Sequence, residues 1–293
     1  MLDLTPSPIA IQIGPLAVHW YGIAYAVGLG AAYWLLRREA RFRGQDPELV
    51  FNGMLVVAIA ALIGGRLYHV IDQWQLYKSD LLSIVLPPYS GLGVYGGLLT
   101  GTLAGVAYVR WKRHSLGVWA DIVAPSLFLM QAIGRWGNFF NQELYGSPTN
   151  LPWGIAIQCG NRTQGYPCPA DLASTATDGQ HFQPLFLYES LSGFLGMLVL
   201  LYLGRRFRDR LRPGDLLLVF FVWYGTVRFV LESLKSNNWL FFGIPTAQVA
   251  AGLSVLLALA ILLVRHSRPP RATPEPEQTP PPDARATPAP ENG

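Results

Sequence analysis

Apolar residues collect in seven runs along the chain, at 16–36, 50–71, 91–109, 116–136, 184–204, 215–231 and 243–264. Each has the length of a helix that crosses a hydrocarbon core, which takes roughly 20 residues. Two polar intervals between the runs are long. Residues 72–90 are polar at first and then reach Pro87-Pro88, which stops a helix. Residues 137–183 are rich in Gly, Pro, Asn and Thr and read as a small head outside the bilayer. Residues 269–293 contain nine prolines and almost no large apolar side chain, the composition of a disordered tail without a catalytic role. The predicted fold is therefore all-α: a polytopic membrane domain of seven spans over 1–268, with its head at about 137–183 and the tail after it.

Composition and charge agree with the pattern. Of 293 residues 51% are hydrophobic and 14% charged, whereas soluble domains carry about 25% charged residues. Sixteen of the 22 Lys and Arg follow the first, third, fifth and seventh runs, among them Arg37, Arg43, Arg110, Arg205, Arg208 and Arg265. The positive-inside rule makes that side cytoplasmic. The N-terminus is then outside and the C-terminus inside. No basic region opens the chain, so no cleaved signal peptide is expected. No nucleic-acid partner is expected either. Cys159 and Cys168 both fall in the head. An oxidising outer compartment favours a disulfide between them, with two free thiols as the other reading. His181 is the only histidine nearby, so no metal site is expected.

Three arginines are left unexplained by orientation: Arg66, Arg135 and Arg228, within or at the outer ends of spans two, four and six. A helix rises about 1.5 Å per residue, which puts Tyr95 roughly 7 Å below the outer end of span three. Glu189 lies at a similar depth in span five, and Tyr21 and Asn138 at the outer ends of spans one and four. Six spans thus bring polar groups to one layer near the outer headgroups. Each has a plainer reading. Arg66 could snorkel to the interface. Tyr21, beside His19 and Trp20, could belong to an aromatic belt. Glu189 could pair with an arginine to hold helices together, and Arg228 with Glu232 could form an i,i+4 pair. Arg135 is hardest to dismiss, because Asn138 and Asn141 repeat at helical spacing beside it. Gly97, Gly101 and Gly105 make a small-residue face for helix packing, and Gly96-Gly97 could leave room for a ligand beside Tyr95. Guanidinium groups hold phosphates through paired hydrogen bonds, and the anion present at this depth is a phospholipid headgroup. A transporter or a lipid-binding scaffold are the rival classes. No internal repeat is visible, and the polar layer lies at one face rather than at the midplane.

The stretch Gly134-Arg135-x-Gly137-Asn138-Phe139-x-Asn141-x-Glu143-x-x-Gly146 resembles the signature of the prolipoprotein diacylglyceryl transferase family. His19-Trp20-Tyr21-Gly22, Gly64-Gly65-Arg66-Leu67, Leu187-Tyr188-Glu189-Ser190 and Tyr224-Gly225-x-x-Arg228-Phe229-x-x-Glu232 resemble its other motifs, in order, over about residues 8–265. The resemblance implies transfer of the diacylglyceryl group of phosphatidylglycerol to the lipobox cysteine of a preprolipoprotein. A thioether forms, glycerol 1-phosphate leaves, and no cofactor takes part. It is the first step of bacterial lipoprotein maturation. It also implies that Arg135 and Arg228 clamp the phosphate. Asn138 would help hold the glycerol or phosphate, Asn141 matches another polar position, and Glu143 and Glu189 would orient the arginines or the glycerol head. Tyr21, Arg66 and Glu232 match further substrate-contact positions. Where some members carry His-Gly-Gly, a candidate base, this chain has Tyr95-Gly96-Gly97. A phenol with pKa near 10 is a poor base. Either the arginine field lowers that pKa, or the base lies elsewhere, or Tyr95 donates a hydrogen bond, the reading adopted here. Lys235 and Ser236 stand where many members have an arginine followed by other polar residues, which points to steering rather than clamping.

Overall fold

A computed structural model gives the fold and describes residues 1–84, 91–163, 165–235 and 240–267. Pro87-Pro88, Ser236 and the tail at 269–293 lie outside the described residues. Seven long helices occupy the seven apolar runs: α1 Trp20–Phe42, α2 Glu48–Asp72, α3 Val94–Trp111, α4 Leu116–Phe140, α5 Leu185–Arg206, α6 Asp215–Glu232 and α7 Thr246–Ser267. By length and composition α2, α4, α5 and α7 can each cross a membrane. The first span starts later than its apolar run. Leu16–His19 is a strand (β2) paired antiparallel with Ile9–Ile13 (β1), and the helix begins only at Trp20. A β-hairpin and the opening of a helix are both apolar here, so periodicity alone does not separate them.

The hub of the bundle is α4, which packs against α1, α5 and α6. Leu35, Ala124, Phe128, Met197, Leu200 and Leu216 bury themselves where these helices meet. Small residues set the spacing. A Cβ on Gly196 of α5 would lie 2.8 Å from the Phe128 ring. The second pair, α2 and α3, pack chiefly on each other. Gly97 faces the Ala61 carbonyl, where a Cβ would sit at 3.1 Å, and Gly101 faces Ala61 and Val57. Thr100 Oγ1 donates across the contact to the Ala60 carbonyl at 2.8 Å. The expected small-residue face is therefore real. The ligand space expected beside Gly96 is not, because the Gly64 carbonyl and Tyr68 of α2 fill it. Gly96→Val must push α2 and α3 apart. It is expected to cost about 1–3 kcal/mol, read as a lowered thermal midpoint of the purified protein in detergent.

At the end of the bundle that carries the Arg37–Arg43 run, buried carboxylates have polar partners. Glu39 accepts from Arg205 at 2.6 Å, and Asp215 meets His266 at 2.7 Å. Asp121 of α4 accepts the backbone N–H groups of Gly214 and Leu216 at 3.0 and 2.9 Å and so caps the start of α6. A carboxylate suits a helix N-terminus, where N–H groups lack intrahelical partners.

The head sits at the other end, between α4 and α5. Its core is Tyr145, Ile155, Ile157, Phe182 and Phe186, laid around two short strands, β3 Ile155–Ala156 and β4 His181–Phe182. The N-terminus joins it: Leu2 bridges to Ile155, and Asp3 meets His181 at 2.8 Å. Cys159 and Cys168 form a disulfide, with their Cα atoms 5.4 Å apart. Arg162 lies over the Phe182 ring, 4.7 Å from its centroid, and pairs with Asp178 through both of the carboxylate oxygens. That guanidinium holds the Asp178 carboxyl below its ordinary range. A lowered folded-state pKa stabilises above the unfolded value of about 3.9, and the contribution is lost as pH falls through the folded value. Asp178→Asn is therefore expected to raise the rate of proteolytic cutting in the head by roughly fivefold at neutral pH. The gap from the native protein should close as the pH is taken below about 3.9.

Candidate active site

The end of α4 next to the head carries Arg135 and Asn138 one turn apart. Gly137 between them allows Tyr21 of α1 to lie against the helix, since a Cβ there would stand 2.7 Å from the Tyr21 ring. Asn138 is buried and links two charges. It accepts from Arg135 Nη1 at 3.3 Å and donates through Nδ2 to Glu143 Oε1 at 2.7 Å. Arg135 Nη2 pairs with Glu189 of α5. The other oxygen of Glu189 accepts from Arg228 Nη1 of α6 at 3.1 Å, and Arg228 Nη2 meets Glu232 at 2.7 Å. The result is one connected row, Glu143–Asn138–Arg135–Glu189–Arg228–Glu232, over three helices.

The energetics of the row rest on Glu189, which is 4% exposed. Burying a carboxylate is costly unless charge and hydrogen bonds compensate it, and here two guanidinium groups do. The same carboxylate keeps two like charges side by side. Arg135 and Arg228 face the carboxylates of Glu189 and Glu232, with Glu143 reached through Asn138, while each guanidinium has five N–H donors and uses only part of them here. The first turn of α5 is tied to the head. Trp153 Nε1 donates to Tyr188 Oη at 2.7 Å, and Tyr188 donates to Gln183 Oε1 at 2.7 Å. This fixes the height at which the next residue, Glu189, enters the bundle.

The row unites Arg135, Asn138, Glu143, Glu189, Arg228 and Glu232, with Tyr21 packed behind it. Three predicted residues stand apart. Arg66 holds a loop instead. Its Nε and Nη2 donate to the Ile84 and Ser83 carbonyls at 3.0 and 2.9 Å, and Nη1 donates to Tyr77 Oη at 3.2 Å. Tyr95 is 74% exposed, its ring 6.2 Å from that of Tyr68, and among the described residues it makes no hydrogen bond to the row. Asn141 ends α4 through its backbone N–H to the Gly137 carbonyl at 3.1 Å, and its side chain makes no hydrogen bond among the described residues.

Gln142 was missed in the sequence. It is 3% exposed, and its Nε2 donates to the Pro6 carbonyl at 3.1 Å and to Gln158 Oε1 at 2.9 Å. Its Oε1 accepts the Gln158 backbone N–H at 2.9 Å. Gln142 and Leu144 both have left-handed backbone, at φ 53° and 55°, a conformation that costs non-glycine residues roughly 1–2 kcal/mol. Those anchors hold the turn that aims Glu143 back at Asn138. The signal in the sequence was weak: one amide among the polar residues of the motif.

Beside the row runs an apolar groove of about 570 Å³ between α1, α4 and α5, lined by Trp20, Ile23, Val27, Leu129, Trp136 and Phe194. Trp136 follows Arg135, and Ser190, also in the groove, follows Glu189. Paired guanidinium groups with an apolar groove alongside, at one end of a bundle that includes four helices able to cross a membrane, have the layout of a polytopic membrane protein.

Comparison with known proteins makes this particular. A family model described as prolipoprotein diacylglyceryl transferase matches residues 8–264. The phosphatidylglycerol–prolipoprotein diacylglyceryl transferase of Listeria innocua is 35% identical over 261 residues, covering 89% of this chain and 90% of its own. The protein of the same name from Streptococcus equi subsp. zooepidemicus is 34% identical over 264 residues, covering 89% and 95%. The chain belongs to the prolipoprotein diacylglyceryl transferase family. It is an enzyme of lipoprotein biosynthesis and a multi-pass membrane protein.

Proposed function

We propose that the Arg135–Glu189–Arg228 row is where this enzyme holds the phosphate of phosphatidylglycerol while the diacylglyceryl group passes to the lipobox cysteine of a preprolipoprotein. The observation that carries the reading is the single buried carboxylate, Glu189, bridging guanidinium groups from two different helices. The thiol loses its proton and its sulfur attacks the glycerol carbon that bears the phosphate ester. The C–O bond breaks, the C–S bond of a thioether forms, and glycerol 1-phosphate leaves with the electron pair on its oxygen. Negative charge grows on that oxygen in the transition state. Arg135 and Arg228 are the donors placed to stabilise it in a site where water is scarce. Asn138 and Glu143 orient Arg135, Glu232 orients Arg228, and the adjoining groove takes an acyl chain.

The row lies at the head end, opposite the basic run Arg37–Arg43. With that run on the cytoplasmic side, the site faces the outer leaflet of a bacterial plasma membrane, and the peptide reaches it from outside. The domain division follows the same lines: a membrane domain over 1–268 with its head at about 137–183, and a tail at 269–293. Tyr95 is assigned a hydrogen-bonding role towards the incoming substrate, since it points away from the row.

The experiment is to incubate the purified protein with headgroup-labelled phosphatidylglycerol and a peptide carrying a lipobox cysteine. Equal amounts of thioether-linked peptide and free glycerol 1-phosphate are expected. Lipid binding or translocation with neither product would overturn the proposal in favour of a carrier.

A further inference from the structure

At the far end of the bundle from the Arg135 row, a cavity of about 190 Å³ opens between the ends of α1 and α5 and the start of α4. Arg43, Asp121, Gly204, Arg208 and Pro213 are among the residues that line it. The side chain of Arg43 is only 18% exposed, yet among the described residues it makes no hydrogen bond, and its Nε is buried without a partner. Its one ion-pair partner among the described residues is Asp121 at 3.7 Å, beyond hydrogen-bonding reach. A largely buried guanidinium with no hydrogen bond is costly, whereas Arg37, Arg205 and Arg265 each make one. Arg37 is paired with Glu48 and Arg205 with Glu39, both at 2.6 Å, and Arg265 donates to the Pro213 carbonyl at 2.8 Å.

The second arginine of the cavity, Arg208, has the Phe42 ring beneath it, 5.5 Å to the centroid, and makes no ion pair among the described residues. Asp121 lines the cavity as well. Its oxygens are turned to the backbone N–H groups of Gly214 and Leu216. Gly204 keeps the space open, because a Cβ there would stand 3.2 Å from Arg43 Nη2. Two guanidinium groups whose side chains make no hydrogen bond among the described residues, lining one small cavity at the end of the helices, match a tetrahedral oxyanion.

We propose that this cavity binds a phosphate group, supplied by an anionic phospholipid of the leaflet opposite the active site or by free phosphate. The bound phosphate ties the end of α1 to the end of α5 through Arg43 and Arg208, and is separate from the phosphate that undergoes reaction. It does not depend on the proposed role of the Arg135 row.

The test titrates the full-length, delipidated protein in detergent with phosphatidic acid, and separately with inorganic phosphate, and reads the bound species by native mass spectrometry. Arg208→Gln removes one fork and breaks no ion pair, so it decides the matter even if Arg43→Gln fails to fold. Affinity for one phosphate-bearing molecule is expected to fall about tenfold in Arg208→Gln, and Arg135→Ala should leave that binding event in place. Loss confined to phosphatidic acid names the lipid as the source, and loss confined to inorganic phosphate names the free ion. Unchanged binding of both probes by Arg208→Gln would overturn the proposal.

Discussion

Arg135→Ala is expected to lower kcat for diacylglyceryl transfer by at least about a hundredfold, the usual effect of removing one donor to a developing oxyanion. Insertion and folding should survive. Glu189 keeps Arg228 as its partner at 3.1 Å, and Asn138 keeps Glu143 at 2.7 Å. What disappears is the guanidinium on the α4 side of the phosphate. Arg135→Lys restores the charge without the fork, and is expected to recover only part of the rate. The rates are measured with purified variants at saturating phosphatidylglycerol, with gel filtration to verify folding. A near-normal kcat in Arg135→Ala would remove this residue from the reaction.

Glu189→Ala is expected to have the largest effect on stability. It leaves Arg135 and Arg228, with side chains 21% and 27% exposed, facing each other across the space where their shared counter-ion stood. Breaking a buried pair from one side costs about 3–5 kcal/mol, and transfer should be lost as well, because among the described residues Arg135 is then held only by Asn138 and Arg228 only by Glu232, with nothing to set one against the other. The double variant Glu189→Ala/Arg135→Ala is expected to be more stable than Glu189→Ala alone, since it removes one of the stranded charges. Thermal melting of the three variants forms a cycle that isolates the coupling. Additive losses would mean that the bridge does not organise the pair.

The helices were legible because membrane spans are written in long apolar runs, and each run did become a helix. The exception at the N-terminus is instructive. Leu16–His19 is as apolar as a helix start, but it is paired with Ile9–Ile13, and a cross-strand partner cannot be read from one strand. The site was half legible for a similar reason. Counting residues along a helix gives depth, and depth did bring Arg135, Glu189 and Arg228 to one layer. It gives no position around the bundle axis. Arg66 and Tyr95 share that depth, but they ride on α2 and α3, which pack chiefly on each other. Arg66 therefore meets the carbonyls of the loop after its own helix. Gln142 was hidden because its importance lies in contacts with Pro6 and Gln158, far away in sequence.

The central claim is that the phosphate of the lipid sits between Arg135 and Arg228. The direct measurement is photo-crosslinking with a phosphatidylglycerol analogue that carries a photoreactive group on its glycerol head, followed by peptide mapping. Labels are expected on the head-proximal ends of α4, α5 and α6, around Asn138, Glu189 and Arg228, and those labels should be lost in Arg135→Ala. Labelling centred on Arg66 and Tyr95 at α2 and α3, unaffected by Arg135→Ala, would contradict it.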